Sequence, residues 1–202
     1  KKSGLYDETI RKHGIRSLTA SEARVILKRK TEVGTGYVIP YPNKGGGFIE
    51  GVVNFRLDKP LPSLDKGKKP RKYIRPVGLS AKLYIPFPTL EILDDASTPL
   101  IITEGEKKVL KATQEGFYAI GASGVWGWSS NHRPLSDFER IKIENRIIYI
   151  VFDGDKATNP NVLLAQNKLA KMLVKKGAQV KIVDLSIRDK LDDYFVRCGN
   201  NA

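Results

Sequence analysis

Two apolar runs in this chain end in carboxylates. LIITEG (100–105) finishes on Glu104-Gly105, and IIYIVFDGD (147–155) finishes on Asp153-Gly154-Asp155. Each run is short and rich in β-branched residues, which suits a buried parallel strand. Ligands of open α/β sheets bind in the crevice beyond the carboxyl ends of the strands. Glu104, Asp153 and Asp155 would therefore meet on one edge of a sheet. Like charges held that close repel unless a cation stands among them. An all-oxygen set suits a hard divalent ion, Mg²⁺ or Mn²⁺, and such ions mostly serve phosphoryl chemistry. Gly105 and Gly154 allow the tight turns that this placement needs. Taken alone, Asp-x-Asp after a strand reads more readily as a turn or a helix cap than as a metal site. A second acid after an earlier strand, on a basic chain, favours the cation.

The surrounding pattern supplies the elements. Residues 106–114 read as a helix, 117–120 as a strand and 121–127 as a glycine-rich loop. Residues 146–152 give the strongest strand, 160–176 an amphipathic helix closed by Gly177, and 178–185 a last strand. Strand–helix alternation at this spacing implies parallel strands with right-handed crossovers. Upstream, Thr19 with Glu22 three residues on marks a helix start, running to Leu27. Residues 36–40, 47–57, 72–75 and 82–85 read as short strands among Pro- and Gly-rich turns, with a bulge near Gly51. The expected fold is α/β, a parallel sheet flanked by helices, preceded by a small basic, β-rich α+β subdomain. The expected domains are 1–97 and 98–202.

The chain has 202 residues, of which 35 are Lys or Arg and 22 are Asp or Glu, for a net charge of +13. Residues 1–97 hold 19 of the basic and 10 of the acidic residues. Such an excess suggests a polyanionic partner. A single cysteine, Cys198, excludes a disulfide framework or a Cys-rich zinc site within these residues. No apolar run approaches the roughly 20 residues that cross a bilayer, and the first residues lack the apolar core of a signal peptide. The expectation is a cytoplasmic protein without membrane contact. The first residue is lysine, so a piece of a longer protein is expected.

Basic residues cluster between Arg56 and Arg75. Lys66, Lys68 and Lys69 read as a solvated loop. Arg56, Lys72 and Arg75 lie on or beside strands and can hold fixed positions against phosphate. Lys107 and Lys108 open the helix after Glu104, where one could meet phosphate. Trp126 and Trp128 flank Gly127; one is expected to pack the loop, leaving Trp126 a candidate for stacking on a base. His13 and His132 are too isolated to suggest a metal or a catalytic base.

The motifs LIITEGEKKVLKA (100–112), AIGASG (119–124) and IIYIVFDGDKA (147–157) resemble the Toprim domain of DnaG-type primases, topoisomerases, OLD-type nucleases and RecR-like repair proteins. The GVWGW segment, FDGDKATNPNV and the late LDDYF are similar to the Toprim domains of phage and plasmid primase–helicase proteins. The basic text YVIPYPN…FIEGVVNFRLDKP…RKYIRPVG…LYIPF is similar to the segment preceding that domain. The resemblance implies that Glu104 is a metal ligand or general base and that Asp153 and Asp155 are a metal-binding pair. It implies that Asp193, with Asp192, forms a late acidic motif; these two equally suit the start of a helix over 194–196. Gly121 and Gly124 would form the loop facing the site. No zinc module precedes the core within these residues, and no G-x-x-x-x-G-K-[ST] loop marks a helicase.

The resemblance implies a DNA primase core that joins ribonucleoside triphosphates on a single-stranded DNA template, working with a helicase domain or subunit. A Toprim nuclease would use the same acids, and a non-catalytic DNA-binding module would need only the basic surface. A topoisomerase is not the expectation, because it needs a tyrosine nucleophile in a large gate domain, for which these 202 residues leave no room.

Overall fold

A computed structural model describes residues 3–63, 70–153, 159–185 and 189–198. It divides into two compact units, residues 7–80 and residues 1–6 with 81–202. The division falls at 80/81, earlier than the 97/98 read from composition. The reason is packing: Leu83, Ile85, Leu90 and Leu93 are buried in the core of the larger unit.

The smaller unit comprises α1 (Asp7–Lys12), β1 (Arg16–Leu18), α2 (Ala20–Ile26), β2 (Gly36–Pro42), β3 (Phe48–Leu61) and β4 (Arg71–Ile74). Its sheet is antiparallel in the order β1-β2-β3-β4. The row Val38–Phe55–Ile74 runs across β2, β3 and β4 and is buried with Leu18, Ala23, Leu27 and Leu57. Thr19 caps α2 in a complete capping box with Glu22. The expected bulge is present: Pro40 faces Val53 and Pro42 faces Phe48, so β3 spends extra residues around Gly51.

The larger unit holds α3 (Phe87–Glu91), β5 (Leu100–Glu104), α4 (Glu106–Gln114), β6 (Ala119–Ala122), β7 (Ser129–Ser130), β8 (Arg133–Pro134), β9 (Ile147–Val151), α5 (Pro160–Lys175), β10 (Gln179–Ile182) and α6 (Leu191–Cys198). Four strands make a parallel sheet in the order β10-β9-β5-β6. From β5 the chain first adds β6 on one side, then returns to add β9 and β10 on the other. The strand order therefore reverses between β5 and β9, and a crevice opens at such a switch point. Leu100, Ile102, Ile148 and Ile150 are buried in the sheet, with Val162, Leu169 and Leu173 of α5 in the same core. Among the described residues, no helix is long and apolar enough to cross a membrane.

The strand expected over 82–85 is absent. Only Tyr84 bridges, antiparallel to Gly121. Pro86 ends the extended stretch as the N-cap residue of α3, a helix the breaker pattern concealed. Arg146, read as the first residue of the strongest strand, instead precedes β9 and is fully buried. Its guanidinium donates to the carbonyls of Ile92, Leu93 and Asp95, tying the chain after α3 to the sheet. Removing it strands several carbonyls away from water. Arg146→Met is expected to lower the free energy of unfolding by about 3 kcal/mol, measured in urea. A loss below about 0.5 kcal/mol, the range of an ordinary surface change, would show that these bonds do not hold the segment.

Candidate divalent-cation site

Glu104 is the last residue of β5, and Asp153 lies two residues past the end of β9. These strands are hydrogen-bonded neighbours in parallel register, with Thr103 opposite Val151. Their acids therefore leave the sheet side by side at the switch point. Gly105 turns the chain from β5 into α4 with φ +81°, a conformation that suits glycine. Gly121 lets α4 lie close on β6: a Cβ there would stand 2.5 Å from Val109 Cγ2.

Lys108, on the first turn of α4, reaches between the two acids. Its Nζ donates to Glu104 Oε1 at 3.2 Å and lies 2.6 Å from Asp153 Oδ1. All three side chains are largely shielded, with 12%, 23% and 17% exposure for Lys108, Glu104 and Asp153. Burial pushes the Asp153 carboxyl up to about 6; the Lys108 ammonium opposes that rise and Glu104 adds to it. Burial pulls Lys108 down, but Glu104 and Asp153 together outweigh it and hold its ammonium above the usual lysine range.

Oδ1 of Asp153 is buried, and the Lys108 ammonium stands 2.6 Å from it. Two shielded carboxylates side by side, with one ammonium drawn in between them, fit ligation of a hard cation. Glu104 and Asp153 would hold it. Asp155 and Gly154 lie outside the described residues. Among the described residues no group of three His, Cys, Asp or Glu side chains converges. Asp193 accordingly does not join Glu104 and Asp153; it is exposed on the first turn of α6, where its neighbour Asp192 is buried.

The other expected residues divide clearly. Lys107 donates to Ser3 Oγ at 2.9 Å, toward the first residues of the chain. Trp128 is buried in the core, as expected for one of the pair. Trp126 stacks on Trp128 at 6.4 Å, donates Nε1–H to Asn161 at 3.0 Å and has Lys168 5.4 Å from its ring. It thus packs the loop against α5 as well. In the smaller unit Arg56 faces Tyr73 across β3 and β4, with its guanidinium 5.0 Å from the ring centre. Lys72, one residue before Tyr73, alternates to the opposite face, and Arg75 follows the end of β4, partly exposed. Lys66, Lys68 and Lys69 lie outside the described residues.

A four-stranded parallel sheet flanked by helices, with an antiparallel sheet earlier in the chain, is the fold of DnaG-type primase catalytic cores. The chain is similar to the zinc-binding and RNA polymerase domains of the Aquifex aeolicus primase, at 20% identity and TM-score 0.63, over 98% of this chain and 51% of that one. It is similar to the RNA polymerase domain of Mycobacterium tuberculosis DnaG, at 14% identity and TM-score 0.67, over 98% and 70%. It is also similar to a DnaG primase catalytic domain bound to single-stranded DNA, at 17% identity and TM-score 0.65, over 98% and 66%. The chain thus spans about half of the first structure and about two thirds of the last. Residues 90–202 match the family described as "Domain of unknown function (DUF3854)", and the chain belongs to that family. No curated protein matches its sequence.

The raised Asp153 carboxyl has a consequence for folding. Its value of about 6 exceeds the 3.8 of an ordinary aspartate. Between those values the folded chain keeps a proton that the unfolded chain has released. The group's contribution to stability is therefore present below about 3.8 and lost as pH rises through 6. Asp153→Asn is expected to remove this component, so that stability plotted from pH 4 to pH 7 slopes differently from wild type in urea unfolding. Parallel curves for the two proteins would contradict the raised value.

Proposed function

We propose that the chain is the catalytic core of a DNA primase, making short RNA primers on single-stranded DNA. The observation that carries this reading is the meeting of Glu104 and Asp153 at the switch point of a primase-type sheet. The reaction joins the 3′-hydroxyl of the growing strand to the α-phosphate of the next ribonucleoside triphosphate. The O–P bond forms as the bond to the β-phosphate oxygen breaks, and pyrophosphate leaves.

A divalent cation, Mg²⁺ or Mn²⁺, would supply positive charge beside the attacking and leaving oxygens. Glu104 and Asp153 are the residues that would hold it, with Asp155 as the third ligand that the family resemblance implies. Their fixed strand ends orient the cation without reorganisation during the reaction. Lys108 adds a positive charge to the same edge. The basic surface of the smaller unit, with Arg56 on a strand and Arg75 at the end of one, suits the phosphates of a template or triphosphate. The net charge of +13 favours the encounter with a polyanion. A helicase domain or subunit as working partner, and the cytoplasm as the place of work, follow from the same reading.

The test is synthesis. The chain, incubated with single-stranded DNA, labelled ribonucleoside triphosphates and Mg²⁺ or Mn²⁺, is expected to yield products of a few nucleotides. Asp153→Asn should lower the yield roughly hundredfold or more, the scale of losing one electrostatic stabiliser of the transition state. Shortened DNA without synthesis would replace the primase by a nuclease using the same acids. Salt-sensitive DNA binding with neither activity would leave a binding module.

A further inference from the structure

Lys108 places one ammonium against two carboxylate oxygens that a divalent cation would use. Nζ is 3.2 Å from Glu104 Oε1 and 2.6 Å from Asp153 Oδ1. A Mg²⁺ ion sits about 2.0–2.1 Å from its oxygens. A cation ligated by both acids and an ammonium between them would thus crowd into one space, two positive charges with little water to screen them. The Lys108 side chain is only 12% exposed, so the repulsion would be stronger than at a surface.

We propose that Lys108 is an internal counter-ion of this site: it holds Glu104 and Asp153 together, competes directly with the divalent cation for them, and so sets the affinity of the site for metal. The proposal rests on the cation reading given above. Three observations support it. The two acids come from different strands and would repel each other without a positive charge between them. Lys107, the adjacent lysine, donates to Ser3, whereas Lys108 reaches both Glu104 and Asp153. Lysine also carries its charge on a flexible four-carbon stem, which can swing away when a stronger cation arrives; the planar guanidinium of arginine would clamp a carboxylate in two bonds instead. The displaced ammonium stays tethered to the first turn of α4, at the edge where phosphate would enter. Metal and phosphate then favour each other, because the released charge gains a new anionic neighbour.

The test titrates Mn²⁺ alone into the 202-residue chain by calorimetry, without nucleotide or DNA. Wild type, Lys108→Met, Lys108→Arg and Asp153→Asn are compared, and their unfolding temperatures are read in EDTA. Lys108→Met is expected to bind Mn²⁺ about tenfold tighter or more than wild type, since a buried charge of like sign is gone. It should also unfold at a lower temperature in EDTA and regain that loss with Mn²⁺. Lys108→Arg, which keeps the charge, should stay as weak as wild type or weaker. If the methionine variant does not fold, Lys108→Gln keeps a donor for the carboxylates and gives the same comparison.

Equal or weaker Mn²⁺ binding by Lys108→Met, with binding by wild type that Asp153→Asn abolishes, would overturn the counter-ion role and leave the cation site standing. No Mn²⁺ binding by wild type or Lys108→Met would overturn both. Tighter binding that persists in the double variant Lys108→Met/Asp153→Asn would place the ion elsewhere and also overturn the proposal.

Discussion

Two carboxylates at the same edge of a sheet repel one another, and everything that positions this site works against that repulsion. Glu104 and Asp153 are brought together by backbone pairing between β5 and β9, which leaves them little room to separate. Burial makes the problem worse, because water no longer screens the charges. Burial drives the Asp153 carboxyl up to about 6 and Glu104 adds to that rise, while the Lys108 ammonium opposes it. A site in which two carboxylates share one ammonium is suited to accept a cation.

The neighbouring structure follows from this constraint. Lys108 can reach both acids only because α4 begins immediately after Glu104, through the positive-φ turn at Gly105. The helix can start there only because Gly121 lets Val109 press against β6. The first residues of the chain hold the same helix from outside, through Lys107 to Ser3 and Gln114 to the Gly4 carbonyl. On the other side, Arg146 anchors the entry to β9 from beneath. Substitutions at Gly121 or Arg146 therefore bear on the acids without touching them.

Much of this was legible in the residues. Apolar runs ending in Glu104-Gly105 and Asp153-Gly154-Asp155 marked the strands and their acids, because a buried parallel strand is uniformly apolar and its end is abrupt. Thr19 and Glu22 marked α2 through chemistry confined to one turn. What failed had longer-range causes. Residues 82–85 have the composition of a strand, yet tertiary packing allows them only one bridge, at Tyr84. Composition placed a boundary at 97/98, whereas packing put residues 81–97 with the sheet. For Trp126, read as a candidate for stacking on a base, local spacing gave no sign of its bond to Asn161 or of Lys168 beside its ring, 35 and 42 residues on. Lys108 was visible as a basic residue four positions after Glu104, a spacing that favours an ion pair. Its second contact, to Asp153, depends on a strand pairing that local spacing does not encode.

If Glu104 and Asp153 form one cation site that Lys108 fills in the ion's absence, a crystal of the chain soaked in Mn²⁺ will show it by anomalous differences. The expected result is a peak bonded to carboxylate oxygens of both Glu104 and Asp153, with the Lys108 ammonium moved out from between them. A chain that binds no Mn²⁺ there, or binds it while Lys108 keeps both of its contacts, would contradict it.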